Sequence, residues 1–467
     1  MAKQQLLEAV RGEAFPVDRD FPQLEIASDP RRMLEVFRAH LKPASGKRYH
    51  ILDCVPFRFR CRQSTSRCVL QYTLRVLEPS SGRQWDQWVA GLVYARTGEA
   101  ERLWREMPAG DPCRGIPEHW LTFQPVDFIP DLHMVVEVFP YDRKLRNLSA
   151  VMGGALLPLD RLLVERMGPG RWHAEERTIE PTRYRTELGA ALRYTVRARD
   201  ALASRSETLR CYLKVYRNER GGETFELLRS LAARSEHDRN GFSVVRPISY
   251  LRELRTLLLE EAQGASVQQL LLGGRDPAEV MRPVARAAAA FNQDVLGIAR
   301  RHSLADQLEE VKRAASLVQW ACPRARAEVE AIAAAVIDGL REAPPAPIHR
   351  DLKTDHIFLT GERVIFIDLD SVVLGDPVRD PAHLFAHLTA GVGLDSIPRE
   401  RARTAAALFV QEYFAHVPKP WRRRFPLHGA GALIEVAGGI FKRQEPHWPE
   451  KVSAAIEEAQ LCLQGKA

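Results

Sequence analysis

The sequence predicts an α+β protein whose strands and helices are segregated along the chain. Three observations carry that reading. From Tyr49 onward, runs rich in β-formers alternate with polar turns; beyond Gly274 the apolar residues change to helical spacing; and the segment densest in chemistry, Ile348–Asp380, lies within the helical half on a short pair of strands.

Length and composition narrow the class. A chain of 467 residues without a low-complexity tract has room for about two to four domain-sized units. At 45% hydrophobic and 27% charged it reads as globular, neither disordered nor membrane-embedded. The net charge of +7 is carried mostly by arginine, since only 11 of the 67 basic residues are lysine. No basic run alternates with aromatics, so nucleic acid is not expected as a partner, and each lysine is the more informative for being rare. The seven cysteines (Cys54, Cys61, Cys68, Cys113, Cys211, Cys322, Cys462) are odd in number and form no C-x-x-C pair. That points to a reducing compartment and away from structural zinc, and Cys54, Cys61 and Cys68 read as small strand or core residues. With no apolar stretch of signal-peptide or membrane-spanning length, the expectation is a cytoplasmic protein without a membrane partner.

In chain order, residues 1–44 predict a helical lead-in, with Leu34, Phe37 and Leu41 at helical spacing beside Met33. Residues 45–165 then predict strands at Tyr49–Cys61, Cys68–Val76 and up to Tyr94, a helix over Gly98–Met107 and an apolar strand Met134–Val136 ending in Glu137. The polar stretches Gln63–Ser66 and Glu78–Gly82 supply turns. Residues 175–263 repeat the order: strands at Thr178–Arg185, Ala190–Ala198 and Leu209–Tyr216, a helix over Glu223–Ala233, and Thr256–Leu259 closed by Glu260. Tyr72 and Tyr194 are 122 residues apart, as are Val93 and Val215, and Glu137 precedes Glu260 by 123. A shared offset at independent landmarks predicts an internal duplication.

Residues 264–467 predict helices. Asp276–Arg300 opens on an aspartate cap with Val280, Val284, Ala287, Ala288 and Phe291 on one face; Ala325–Leu340 has a similar stripe, and three more follow near 398–416, 428–441 and 449–463. Between them, Pro344, Pro345 and Pro347 break the chain ahead of His349-Arg350-Asp351-Leu352-Lys353. Asp351 is therefore expected on an irregular turn, where a carboxylate can orient a hydroxyl and accept its proton. Ile357–Leu359 and Val364–Ile367 predict a hairpin turning at Gly361, whose second strand ends in Asp368, placed to hold a divalent cation. Gly375-Asp376-Pro377 then leads to Asp380.

These three features in this order resemble the aminoglycoside phosphotransferase and choline kinase family, protein-kinase-like enzymes that phosphorylate small molecules. The resemblance implies a bilobal kinase-like fold, an antiparallel-sheet N-lobe at 175–263 and a mainly helical catalytic lobe at 264–467, preceded by a degenerate N-lobe-like domain at 45–165. It implies ATP as co-substrate, Mg²⁺ as cofactor and a small-molecule hydroxyl acceptor that is aminoglycoside-, sugar- or amino-alcohol-like. Catalytic roles fall on Asp351, Lys353 and His349, with Lys353 neutralising charge on the transferring group. Metal binding falls on Asp368 and His356, and structural roles on Asp380 and Asp376. Nucleotide contacts fall on Lys214, its acidic partner Glu223 (with Glu226 as the alternative), and Glu260 and Ala262 at the hinge. The first copy has Leu92 where the second has Lys214.

Departures from the family pattern keep a second reading open, a nucleotide-binding interaction protein without turnover. His356 stands where the family has Asn, and the hairpin turn at Glu187–Gly189 has one glycine, although its backbone amides can still approach phosphates. A protein kinase is disfavoured, because Gly375 comes only seven positions after Asp368 and leaves no room for an activation segment. His383 and His387 have a zinc-compatible spacing but no third ligand in register and read as packing residues. The basic loop Lys419–Arg424 points away from a polycationic acceptor if it borders the site, and is otherwise a solvated loop.

Overall fold

The computed structural model describes residues 15–466 except 17, 45, 62–66, 108–112, 114, 154–162, 164, 204, 238–240 and 362. The turn expected at Gln63–Ser66 and the first 14 residues lie outside that set. Contacts divide the chain into two compact units: Met1–Phe225 with Pro247–Glu261, and Glu226–Arg246 with Ala262–Ala467.

The first unit holds two five-stranded antiparallel sheets of the same design. One comprises β1 (His50–Cys61), β2 (Arg67–Glu78), β3 (Arg83–Tyr94), β4 (Val126–Ile129) and β5 (Met134–Val138) in the order β1-β2-β3-β5-β4. The other comprises β6 (Trp172–Arg185), β7 (Gly189–Asp200) and β8 (Arg205–Tyr216). After the helix Arg220–His237 and a short β9 (Ser243–Val244) that belongs to the second unit, it adds β10 (Pro247–Leu251) and β11 (Thr256–Glu260), in the order β6-β7-β8-β11-β10. In each sheet the third and fourth strands are separated in sequence by a helix, Glu99–Arg105 in the first and Arg220–His237 in the second.

The strand ladders repeat at the offset seen in the sequence. Leu70 pairs with Gly91, and Leu192 with Leu213; Leu92 pairs with Val135, and Lys214 with Leu257; Phe128 pairs with Val135, and Tyr250 with Leu257. Every one of these pairs is displaced by 122 residues. The 123-residue spacing of Glu137 and Glu260 is not part of that register. Glu137 lies opposite Ala90, and the matching pair in the second sheet is Tyr212 with Leu259.

Ahead of β1, Asp29 caps the helix Pro30–His40 by accepting from the amides of Arg31 (2.8 Å) and Arg32 (3.1 Å). Met33 and Phe37 are buried from it, Phe37 edge-on to Tyr72 at 5.1 Å, at about 1.5–3 kcal/mol per side chain removed from water. A larger apolar cluster joins the two sheets. Phe139, Leu145, Leu148 and Val151 from the segment after β5 pack with Tyr184, Leu192, Val196 and Leu213 of the second sheet, and Trp88 stacks on Tyr184.

The second unit is mainly helical, with helices Pro277–Gln293, Leu304–Ala321, Arg326–Gly339, Arg379–Thr389, Arg399–Ala415, Phe425–Lys442 and Trp448–Leu463. The helix expected to run to Arg300 stops at Gln293. There the Asp294 carboxylate turns back to accept from the Val295 amide at 2.7 Å, a local bond that competes with helix. Leu304–Ala321, which the periodicity did not single out, is set by a reciprocal cap between Ser303 and Asp306. The small sheet runs β12 (Ala265–Ser266), β14 (Ile357–Thr360), β15 (Arg363–Phe366) and β9, and β13 (Ala346–Ile348) pairs with β16 (Val373–Gly375). Gly361, at φ +60°, makes the turn between β14 and β15. Among the described residues no helix is long and apolar enough to cross a membrane.

Candidate active site

The loop after β13 is held from beneath by one carboxylate. Asp380, at the start of the helix Arg379–Thr389, accepts from the amides of His349 (2.7 Å) and Arg350 (2.8 Å) and from the Asn292 side-chain amide (2.8 Å). Asn292 also donates to the Pro347 carbonyl (2.8 Å) and accepts from the Tyr413 hydroxyl (2.9 Å), so three helices converge on the loop. Arg350 takes φ +70°, a strained value for a side-chain-bearing residue that these bonds sustain. Its guanidinium pairs with Glu310, which also binds Arg379 at 2.5 Å. Burial acts to raise the Glu310 pKa, but His302, Arg379 and Arg350 outweigh it and lower it to about 2.

His349 is corrected from a catalytic to a supporting residue. It is fully buried, and its Nε2 donates to the Ile367 carbonyl at 2.9 Å, tying the loop to the end of β15. The ring meets Phe291 and Phe366 and has no face toward solvent.

The polar centre forms above this floor. Asp351 is partly exposed and surrounded by cationic or proton-bearing groups: Lys353 Nζ at 3.4 Å, His356 Nδ1 at 3.5 Å and His383 Nε2 at 3.5 Å. Burial pushes its pKa up; His383, Lys353 and His356 outweigh that and hold it well below the ordinary carboxylate range. Asp368 follows β15 with φ +62°, a left-handed conformation that projects its carboxylate beside His356. His356 Nδ1 donates to the Asp351 carbonyl at 3.0 Å, and burial, then Lys353, lower its pKa to about 4. The neutral ring therefore turns a bare Nε2 toward Asp368 Oδ2, 3.3 Å away. Two lone-pair donors face each other, an arrangement that a cation relieves. Ligand atoms of Asp351, His356 and Asp368 all lie within 4.8 Å of one another, and the set of two carboxylates and one imidazole fits a divalent metal ion.

Asp376 is structural in its contacts. It accepts two bonds from Arg424 (3.0 and 2.8 Å), one from His428 Nε2 (3.0 Å) and one from the Val378 amide (3.0 Å). Burial raises its pKa, but His428 and Arg424 together bring it below the usual range. Arg424 is thereby committed to the fold, and the basic segment carrying it gives no ground for choosing an acceptor by charge.

The expected nucleotide residues lie mostly in the first unit. Lys214 sits in the middle of β8, between Ala191 and Leu257, whereas Leu92 in the first sheet is sealed in a core of Val69, Ala90, Ala100 and Val135. Glu223 does not pair with Lys214: the phase of its helix turns Thr224 and Leu228 inward and leaves Glu223 in solvent. Glu226 is exposed as well and binds Arg229 at 2.5 Å. Glu260 ends β11 and pairs with Arg166, and the division between the two units falls between Glu261 and Ala262.

The β6–β7 turn differs most from expectation. Its Glu187 amide donates to Asp142 Oδ2 at 2.7 Å and is thus not open to a phosphate. The Glu187 side chain, only 4% exposed, receives Arg60 at 2.9 Å, Arg67 at 2.7 Å and Arg143 at 2.7 Å, all from the first-sheet half of the unit. Burial would raise its pKa, yet Arg67 and Arg143 leave it lowered.

Sequence reasoning missed His383, Glu310 and Asn292. The His383–His387 spacing was the one available signal, and it was read as helix packing and not as a partner for Asp351.

A model of the phosphotransferase enzyme family matches residues 180–418. No curated protein matches the sequence. Similar solved structures include an ADP-bound aminoglycoside phosphotransferase APH(2'')-Ib, at 12% identity over 66% of this chain and 98% of that one, with a TM-score of 0.40. The aminoglycoside phosphotransferase APH(3'')-Id from Streptomyces rimosus is 18% identical over 59% of this chain and 98% of its own, TM-score 0.37. Amicoumacin kinase hAmiN in complex with AMP-PNP, Ca²⁺ and Ami is 12% identical over 67% of this chain and 96% of its own, TM-score 0.41. With a family model matched over more than half of its 467 residues, this chain belongs to the phosphotransferase enzyme family.

Proposed function

We propose that the protein transfers the γ-phosphoryl group of ATP to a hydroxyl of a small molecule, with an aminoglycoside, sugar or amino alcohol as the acceptor class. The observation that carries this reading is the Asp351–His356–Asp368 cluster on a loop braced by Asp380.

In this scheme Asp351 receives the acceptor hydroxyl. Because its pKa is held low, it is a weak base, and its main contribution is orientation, with the proton passing late in a loose transition state. Lys353, close to Asp351, offsets charge on the transferring group. Asp368 and His356 would hold Mg²⁺, which when bound offsets phosphate charge. Lys214 is the proposed phosphate contact of the first unit, and Glu260 and Ala262 the proposed contacts to the nucleobase. His349, Asp380 and Asp376 keep the loop in place.

The test is a screen of hydroxyl compounds for ADP release, repeated with Asp351→Asn. The variant should lose at least about 10³-fold in kcat while binding ATP as before; turnover within tenfold of the unaltered protein sinks the assignment.

A second reading, nucleotide binding without turnover, is favoured by one observation: Asp142 takes the Glu187 amide of the hairpin turn and withdraws it from phosphates. Thermal shifts with ATP in the presence and absence of Mg²⁺ separate the two. Binding that ignores Mg²⁺, with no ADP formed from any acceptor, selects the second.

A further inference from the structure

A charged cavity of about 590 Å³ lies wholly within the first unit, where the segment after β5 meets the β10–β11 turn. Its lining is entirely charged or amide-bearing: five cations, Arg143, Lys144, Arg146, Arg252 and Arg255, against two carboxylates and Asn147. Ligand pockets of this size are usually walled by apolar and aromatic side chains, and here there are none. Two of the cations are already engaged, Arg143 with Glu137 and Glu187, and Arg255 with Glu219 at 3.0 Å. Lys144, Arg146 and Arg252 are exposed and form no ion pair among the described residues. The cavity is also built, because the Asn147 side chain donates to the Leu254 carbonyl at 2.6 Å and joins its two walls.

We propose that this cavity binds a small, multiply charged phosphate anion, of the pyrophosphate or sugar-bisphosphate kind. Three unpaired cations converging on one concavity repel one another until an anion enters, and guanidinium groups meet phosphate oxygens bidentately. A nucleoside would add nothing, since no ring lines the wall for a base to stack on. The site is connected to the rest of the sheet through Glu219, which holds both Arg255 and the Tyr250 hydroxyl (3.1 Å) and directly precedes the helix Arg220–His237. An anion that takes Arg255 releases Glu219 from that bond.

The experiment is calorimetric titration of the full chain with pyrophosphate in the absence of divalent cations, beside the double variant Arg146→Glu, Arg252→Glu and the separate variant Asp368→Asn. Hydrogen exchange over 143–147, 217–222 and 251–255 is read in parallel. Binding is expected to fall at least tenfold in the double variant, with its unliganded melting temperature unchanged, and to persist in Asp368→Asn. Protection is expected at 143–147 and 251–255. ADP should bind this site no better than pyrophosphate. Unaltered affinity in the double variant, absence of millimolar binding in the parent protein, or an ADP preference that survives Asp368→Asn and vanishes in the double variant each overturns the proposal. None of these outcomes bears on phosphoryl transfer, which is read by ADP release.

Discussion

Replacing the buried Glu187 with alanine should loosen the first unit. Its carboxylate is 4% exposed and bonded to Arg60 (2.9 Å), Arg67 (2.7 Å) and Arg143 (2.7 Å), so the substitution takes one shared carboxylate from three part-buried guanidinium groups, of which Arg143 keeps Glu137. Removing one member of a buried charge cluster costs about 3–5 kcal/mol, because the remaining charges keep their desolvation penalty. Over a unit of this size that corresponds to a melting-temperature drop of about 6–20 °C. Calorimetry of the full chain would resolve the first unit's transition. The pH dependence supplies an independent check. A carboxylate whose folded-state pKa is lowered contributes stability that is complete above its ordinary value of 4.5 and is lost as pH falls through the folded-state value. The gap between the parent protein and Glu187→Gln should therefore be constant from neutral pH down to about 4.5 and shrink below it. A stability loss under about 1 kcal/mol for Glu187→Ala, or a gap unchanged at acid pH, would show that the arginines do not depend on this residue.

Other perturbations test the proposed catalytic loop. Asp368→Ala should abolish Mn²⁺ binding measured by electron paramagnetic resonance and reduce kcat at least about 10³-fold, whereas retained stoichiometric metal would move the ligand set elsewhere. Asp380→Asn sets an amide donor against the amides of His349 and Arg350, and should cost about 2–3 kcal/mol in denaturant titrations together with at least tenfold in kcat. Lys214→Ala should raise the KM for ATP about tenfold or more; an unchanged KM removes Lys214 from nucleotide binding. The lowered pKa of Asp351 predicts that kcat/KM has no acid limb from this residue between pH 7 and the usual carboxylate range, so a limb near 4 that disappears in Asp351→Asn contradicts the electrostatics described for it.

Residue pattern reached the candidate active-site segment because its signals are local. Proline breaks, a β-branched run and a glycine turn fixed where Asp351 and Asp368 fall, and the repeat offset of 122 recurred in the ladders because strand register is itself periodic. What escaped were contacts made by chain folding over long separations. His383 meets Asp351 across 32 positions and Glu310 meets Arg350 across 40. Nothing in either neighbourhood encodes the partner. Glu223 failed for a subtler reason: a carboxylate one position from the buried phase of a helix looks usable in sequence, and a rotation of about 100° per residue turns it to solvent. The beginning of the β6–β7 turn likewise reads as a candidate phosphate cradle until Asp142, from an earlier segment, takes its amide.

The bond between Asp142 and the Glu187 amide, with the apolar cluster beside it, bears on how this chain can be divided. The segment matching the family begins at residue 180, inside β6, and by length alone looks like a module that could be cut free. Yet Tyr184, Leu192 and Val196 bury themselves against Phe139, Leu145, Leu148 and Val151, all encoded upstream of it. Trimming to the family boundary would leave an oily sheet face uncovered and an acidic turn without its arginines, and the product would be expected to aggregate. Family membership here marks out inheritance; the smallest portion able to fold extends well before it.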